Sequence, residues 1–132
     1  MTMERRIITT PHAPAIGAQF ALSQAVRIGP FLHTSGQVGQ DPHTGELVHG
    51  GFAAQMQQTL ANVTAILEAG GASLEDVLMM RVYVTDPAAL PEMNRVYSDF
   101  VGAVKPPRTT LVVGLPGTFL VEIDAFAVVK QL

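Results

Sequence analysis

Arg108 and Glu122 are the residues of this chain whose types and spacing most suggest chemistry. An arginine fork can take a carboxylate through two parallel hydrogen bonds, and a glutamate beside it can orient or activate a water. Between them lies Leu115-Pro116-Gly117-Thr118, a run rich in turn formers. If Thr109–Val113 and Phe119–Val129 are the two arms of a hairpin about that turn, Arg108 and Glu122 face each other within about one residue of register. The same placement describes an ordinary cross-strand ion pair, and spacing alone does not separate the two readings.

Ser35-Gly36-Gln37 follows an apolar stretch and precedes a turn-rich one. A Ser-Gly corner can expose a hydroxyl beside a backbone N–H and so bind a carboxylate or oxyanion, although it is also common turn chemistry. Asn94 falls among apolar residues and fits either a site residue or, more simply, a tether to a nearby loop. The four histidines, His12, His33, His43 and His49, show no metal-ligand spacing with one another or with a carboxylate. His43 and His49 lie in turn-rich sequence and are expected in solvent. No metal site, glycine-rich phosphate loop or G-x-S-x-G elbow is expected, and the Gly50-Gly51 pair is too short to mark a phosphate site.

The elements that must position these residues follow from periodicity. Ala18–Ile28 reads as a strand, Gly29-Pro30 as a turn and Phe31–Ser35 as the returning strand. From Phe52 to Ala69 the residues Phe52, Met56, Leu60, Val63 and Leu67 line one helical face, with Gln55, Gln58, Asn62 and Glu68 largely elsewhere. Gly70-Gly71 ends that helix. Along Val77–Thr85 residues alternate as in a half-buried strand, with Leu78, Met80, Val82 and Val84 on one side. Asp86-Pro87 reads as an N-cap and first helical position of a second helix. This helix runs to about Val101 with Leu90, Met93, Val96, Tyr97 and Phe100 inward. The resulting order, β-β-α-β-α-β-β, is an α+β domain with two helices on one face of a mixed sheet.

Residues 1–132 suit one domain. With 8 Lys and Arg against 11 Asp and Glu, the net charge is −3 and the basic residues are scattered, so no nucleic-acid partner is expected. Charged residues make up 14% of the chain against about 25% in an average soluble domain, which suggests surface hidden against copies of itself. No apolar run approaches the roughly 20 residues of a membrane span. Met1–Arg6 is polar and basic without an apolar stretch behind it, and there is no cysteine, so a cytoplasmic protein without disulfides or a thiol nucleophile is expected.

Several segments, in order, resemble the RidA/YjgF family from about Ile8 to Val128. They include Ala13-Pro14-Ala15-Ile16-Gly17, Ser23-Gln24-Ala25-Val26, Thr34-Ser35-Gly36-Gln37 and Thr44-Gly45-Glu46. The run continues with Glu68-Ala69-Gly70-Gly71, Met93-Asn94-Arg95-Val96-Tyr97, Pro106-Pro107-Arg108-Thr109 and Val121-Glu122-Ile123-Asp124-Ala125. The resemblance implies a chorismate-mutase-like homotrimer whose sheets form a central barrel, with a site in each cleft between subunits. It also implies hydrolysis of 2-aminoacrylate-like enamines and imines to 2-keto acids and ammonia, without a cofactor. Position by position, Arg108 matches the family's carboxylate-binding arginine and Glu122 its water-holding glutamate. Ser35, Gly36 and Asn94 match residues lining the cleft, and Thr110 falls where many members have cysteine.

The chain departs from that pattern at Leu22, which stands where the family has a tyrosine lining the site, within a segment a few residues longer. A phenolic hydroxyl is thereby lost, and an imine larger or more apolar than 2-aminoacrylate is expected. The strand from Arg108 to Leu115 is one residue short, which bears on the face Arg108 occupies. Two alternatives keep the arginine. One is a non-catalytic protein binding a small carboxylate, and the other a deaminase of an aminomuconate-like ring-cleavage intermediate.

Overall fold

In the computed structural model, which describes residues 3–130, the longest periodic segment forms helix α1 (Gly51–Ala69). Met56, Leu60, Val63, Ile66 and Leu67 are buried along it, while Phe52 is only partly covered. Gln55 and Asn62, expected off the inner face, are buried and bonded to loops. Gln55 Oε1 accepts from Leu120 N at 2.9 Å, and Asn62 Nδ2 donates to the carbonyls of Val38 and Gln40 at 3.0 and 2.9 Å. A buried amide costs little when its polar atoms are bonded, so both residues tie loops to the helix. The helix stops at a Schellman turn, with Gly71 N on Glu68 O, Ala72 N on Leu67 O and Gly71 at φ +90°.

Helix α2 (Leu90–Val101) is entered through a short 3-10 turn at Pro87–Ala89, where the Asp86 side chain accepts from Ala88 N at 2.9 Å. Met93, Val96, Tyr97 and Val101 are its buried residues. Phe100, expected inward, is exposed, because at 3.6 residues per turn Val101 completes the Met93–Tyr97 face.

Both helices lie on one face of a six-stranded mixed sheet, as the α+β reading requires. Its strands are β1 (Arg5–Ile8), β2 (Ala25–Ile28), β3 (Phe31–Thr34), β4 (Val77–Val84), β5 (Arg108–Val112) and β6 (Val121–Val128), in the order β1-β2-β3-β6-β4-β5. Strand β1 is an addition to the elements read from the sequence. The expected strand Ala18–Ile28 shortens to Ala25–Ile28, with a turn closed by Phe20 N on Gly17 O before it.

The expected terminal hairpin does not form. Strand β5 runs parallel to β4, with Arg108 beside Met80, and β6 runs antiparallel along the other edge of β4, with Glu122 beside Tyr83. Arg108 and Glu122 are therefore not neighbours: β4 lies between them. Two strand spacings and a three-residue offset place their Cα atoms about 14 Å apart. Pairing partners point to the same side, so Met80, Val82 and Val84 carry Arg108 and Thr110 with them on the helix-covered face. Arg81 and Tyr83 share the other, open face with Glu122 and Asp124.

The core between helices and sheet is built from Leu32, Met56, Leu60, Ile66, Met80 and Ile123, each at most 1% exposed. Burial of each such side chain contributes about 1.5–3 kcal/mol. This layer packs against β4 and β6 through Met80 and Ile123.

Candidate functional site

Two clusters hold the residues singled out from the sequence, one on each face of the sheet. On the helix face, Asn94 and Tyr97 lie one turn apart on α2 and meet Arg108 at the start of β5. Pro106-Pro107 cannot extend α2, and Met80 N donates to Pro107 O at 2.8 Å, which pins the entry into β5. Arg108 Nη2 donates to Asn94 Oδ1 at 2.8 Å, and its Cζ stands 4.7 Å from the centroid of the Tyr97 ring. An acceptor and a π-face thus fix the plane of the guanidinium, while its remaining N–H groups have no partner among the described residues. Asn94 serves the arginine, not a loop.

Arg108, Asn94, Tyr97, Ser98 and Lys105 line a cavity of 430 Å³. The phenol of Tyr97 is pushed above its usual pKa by burial, an effect opposed by the Arg108 charge. Tyr97 Oη and Thr110 Oγ1 are both buried without a hydrogen-bond partner among the described residues. Thr110 shares the Arg108 face of β5 and is half-buried.

On the open face, Glu122 is half-buried against the Ser35-Gly36 corner. A Cβ on Gly36 would collide with the Glu122 carboxylate, so a larger residue at position 36 would displace that side chain from its present place. Burial raises the Glu122 pKa above the ordinary carboxylate value, and the nearby Asp124 charge adds to the shift. A carboxyl in such surroundings can hold or release a proton closer to neutrality. The Ser35 hydroxyl donates to Ser23 O at 2.5 Å and Ser35 N to Gln24 O at 2.8 Å, so this hydroxyl is not a free donor. It keeps acceptor capacity and braces the corner.

Leu22 is 50% exposed and lines a 580 Å³ cavity together with Ser35, Gly36, Arg81 and Asp124. It also borders a separate 670 Å³ cavity lined by Ile7, Ala13 and Ile16. Sequence reasoning missed the polar floor of the first cavity. Asp124 accepts from Arg81 Nε at 2.8 Å and from Tyr83 Oη at 3.2 Å, and His33 Nε2 lies 3.7 Å away. The Asp124 hydrogen bond and charge raise the Arg81 pKa, and burial with the Asp124 charge raises that of Tyr83. The alternation of Arg81 and Tyr83 in β4 was the available signal, but their partner strand was not legible. His12, His43 and His49 are exposed, and no metal-binding group of three or more His, Cys, Asp or Glu occurs among the described residues.

Comparison with known proteins agrees with this fold. A family model described as Endoribonuclease L-PSP matches residues 11–129. A RutC family protein of Pyrococcus horikoshii is 42% identical over 124 residues, 93% of this chain and 97% of its own length. A 2-iminobutanoate/2-iminopropanoate deaminase of Rattus norvegicus is 37% identical over 125 residues, 94% of this chain and 90% of its own. The crystal structure of RidA from the Antarctic bacterium Psychrobacter sp. PAMC 21119 superposes with a TM-score of 0.87 at 38% identity, covering 94% of this chain and 99% of that one. With these similarities along nearly its whole length and two helices packed on the matching mixed sheet, the chain belongs to the RidA/YjgF family.

Proposed function

We propose that the protein hydrolyses reactive imines and enamines of small amino acids to 2-keto acids and ammonia, at clefts between the subunits of a cytoplasmic homotrimer. The observation that carries this reading is the guanidinium of Arg108, held by Asn94 and Tyr97 with N–H groups to spare, in a family with members named as imine deaminases. Arg108 takes the substrate carboxylate, and Glu122 holds the attacking water. Water adds to the imine carbon while Glu122 accepts its proton. That proton passes to nitrogen to give a carbinolamine, the proton of the new hydroxyl follows it by way of Glu122, the C–N bond breaks, and ammonia leaves the 2-keto acid behind. Imine carbon is already electrophilic, so positioning supplies most of the rate and no side-chain nucleophile is needed.

Arg108 and Glu122 lie on opposite faces of one sheet, so one small substrate cannot touch both within a chain. The reading therefore sets the Arg108 edge of one subunit against the Ser35-Gly36-Glu122 corner of another. The open face also exposes apolar side chains beside its polar cluster, Ile7 at 58% and Phe31 at 45%, which suits such an assembly. Removing reactive imines in this way is metabolite damage control. An RNA-cleaving role draws no support from a net charge of −3.

Imino acids generated in place by an amino-acid oxidase, with the unhydrolysed fraction trapped by semicarbazide, test the proposal. Wild type lowers the trapped product and Arg108→Ala does not; equal activity of the two overturns the mechanism. Leu22, which puts an apolar side chain in the cleft, favours one other reading, a protein that binds small carboxylates without turnover. Thermal stabilisation by 2-keto acids with no hydrolysis of any imine would select it.

A further inference from the structure

Resting on the hydrolase reading, we infer that Arg81 is a second carboxylate-binding group of the same cleft, so that the imines preferred by this protein are dicarboxylic.

An arginine that serves only to neutralise a carboxylate commonly does so through two parallel hydrogen bonds. Arg81 does not. It commits Nε to Asp124 at 2.8 Å, and neither terminal nitrogen has a hydrogen-bond partner among the described residues. The carboxylate is buried, with its side chain 9% exposed, while the guanidinium is 39% exposed and lines the 580 Å³ cavity. Asp124 is further engaged by the Tyr83 hydroxyl at 3.2 Å and approached by His33 at 3.7 Å. Asp124 on β6, itself held by groups of β3 and β4, thus anchors Nε of the arginine and leaves its terminal nitrogens toward the cavity.

The position suits a second anionic group. Arg81 pairs with Asp124 and Tyr83 with Glu122, so Arg81 and Glu122 are diagonal neighbours on one face, with residue positions about 7–8 Å apart. A C=N carbon beside Glu122 would leave a carboxylate at the far end of a short chain within reach of Arg81. The α-carboxylate goes to Arg108 of the neighbouring subunit. Arg5 lines the same cavity and forms no ion pair among the described residues, adding to its positive potential. The loss of a tyrosine at position 22 opens room for a larger substrate, and Arg81 makes part of that room cationic.

The test compares binding of oxaloacetate and 2-oxoglutarate with that of pyruvate and 2-oxobutanoate by calorimetry. Proteins used are wild type, Arg81→Met, and the double variant Arg81→Met/Asp124→Asn, which leaves no uncompensated carboxylate. Wild type is expected to bind the dicarboxylic acids more tightly by about tenfold to a hundredfold, the worth of a hydrogen-bonded charge pair, and both variants lose that ratio. Equal affinity for the two classes, no binding of the dicarboxylic acids, or a ratio that survives in both variants overturns the inference. The semicarbazide assay, run in parallel with aspartate- and leucine-derived imines, decides the hydrolase reading separately. Failure of every imine to react would refute that reading, while the keto-acid ratio would still decide the role of Arg81.

Discussion

Arg108 points toward α2 from one face of the sheet, and Glu122 stands on the other face with β4 between them. Two groups so placed serve one reaction only if neighbouring copies bring them together. Mixing Arg108→Ala with Glu122→Gln after reversible subunit dissociation is therefore expected to restore part of the imine hydrolysis that each variant lacks alone. Measured activity that stays at the level of the separate variants, with mixed oligomers shown to form, would mean that each site is complete within one chain.

Gly36 lies against the carboxylate of Glu122, and a methyl group there must displace that side chain. Gly36→Ala is expected to lower kcat by about tenfold or more by misplacing the general base. Its Tm should change little, because residue 36 is exposed, its φ is not positive and the displaced group is the end of a flexible side chain. Steady-state kinetics with a melting curve on the same sample separate the two effects.

Asn94 holds Arg108 through a single exposed hydrogen bond at 2.8 Å. Replacing it by alanine leaves the charge in place and frees its orientation. We expect KM for carboxylated imines to rise by about threefold to tenfold with kcat less affected, the range for an exposed bond to a charged group. An unchanged KM would remove Asn94 from the site.

Glu122 has its pKa raised by burial and by Asp124, and the sign of the consequence is definite. Below the ordinary carboxylate pKa the side chain is protonated in both folded and unfolded states and carries no penalty. As pH rises through the raised folded value, the unfolded chain has already lost its proton, and folded wild type loses stability relative to it. Glu122→Gln should match wild type in acid and become the more thermostable of the two as pH passes that window. Activity should move the opposite way, with wild type losing it on the acid side as Glu122 becomes protonated. Melting curves and rate profiles across the acidic range check both.

Asp124 gathers Arg81, Tyr83 and His33 from two neighbouring strands. Asp124→Ala leaves the Tyr83 hydroxyl and Arg81 Nε without their acceptor, and is expected to destabilise the fold by about 1–3 kcal/mol, discounted toward the lower end because Arg81 is partly exposed. Chemical denaturation measures this directly.

The parts of this protein legible in the sequence are those decided by neighbours along the chain. The apolar stripe of α1, its stop at Gly70-Gly71, the Asp86-Pro87 entry to α2 and the alternation of Val77–Val84 all follow from helix and strand periods and from local backbone preferences. The order of motifs was enough to identify the family and the two-helix, mixed-sheet fold. Which strand lies beside β5 was not legible, because a short, largely exposed strand after Pro106-Pro107 pairs as well with a preceding strand as with the next one. Only the packed sheet selected β4, in parallel, and that choice moved Arg108 away from Glu122 and onto the helix face. The Asp124 cluster was hidden for the same reason. Its members come from β3, β4 and β6, strands far apart in sequence that become adjacent only when the hydrophobic face of the sheet is buried against the helices.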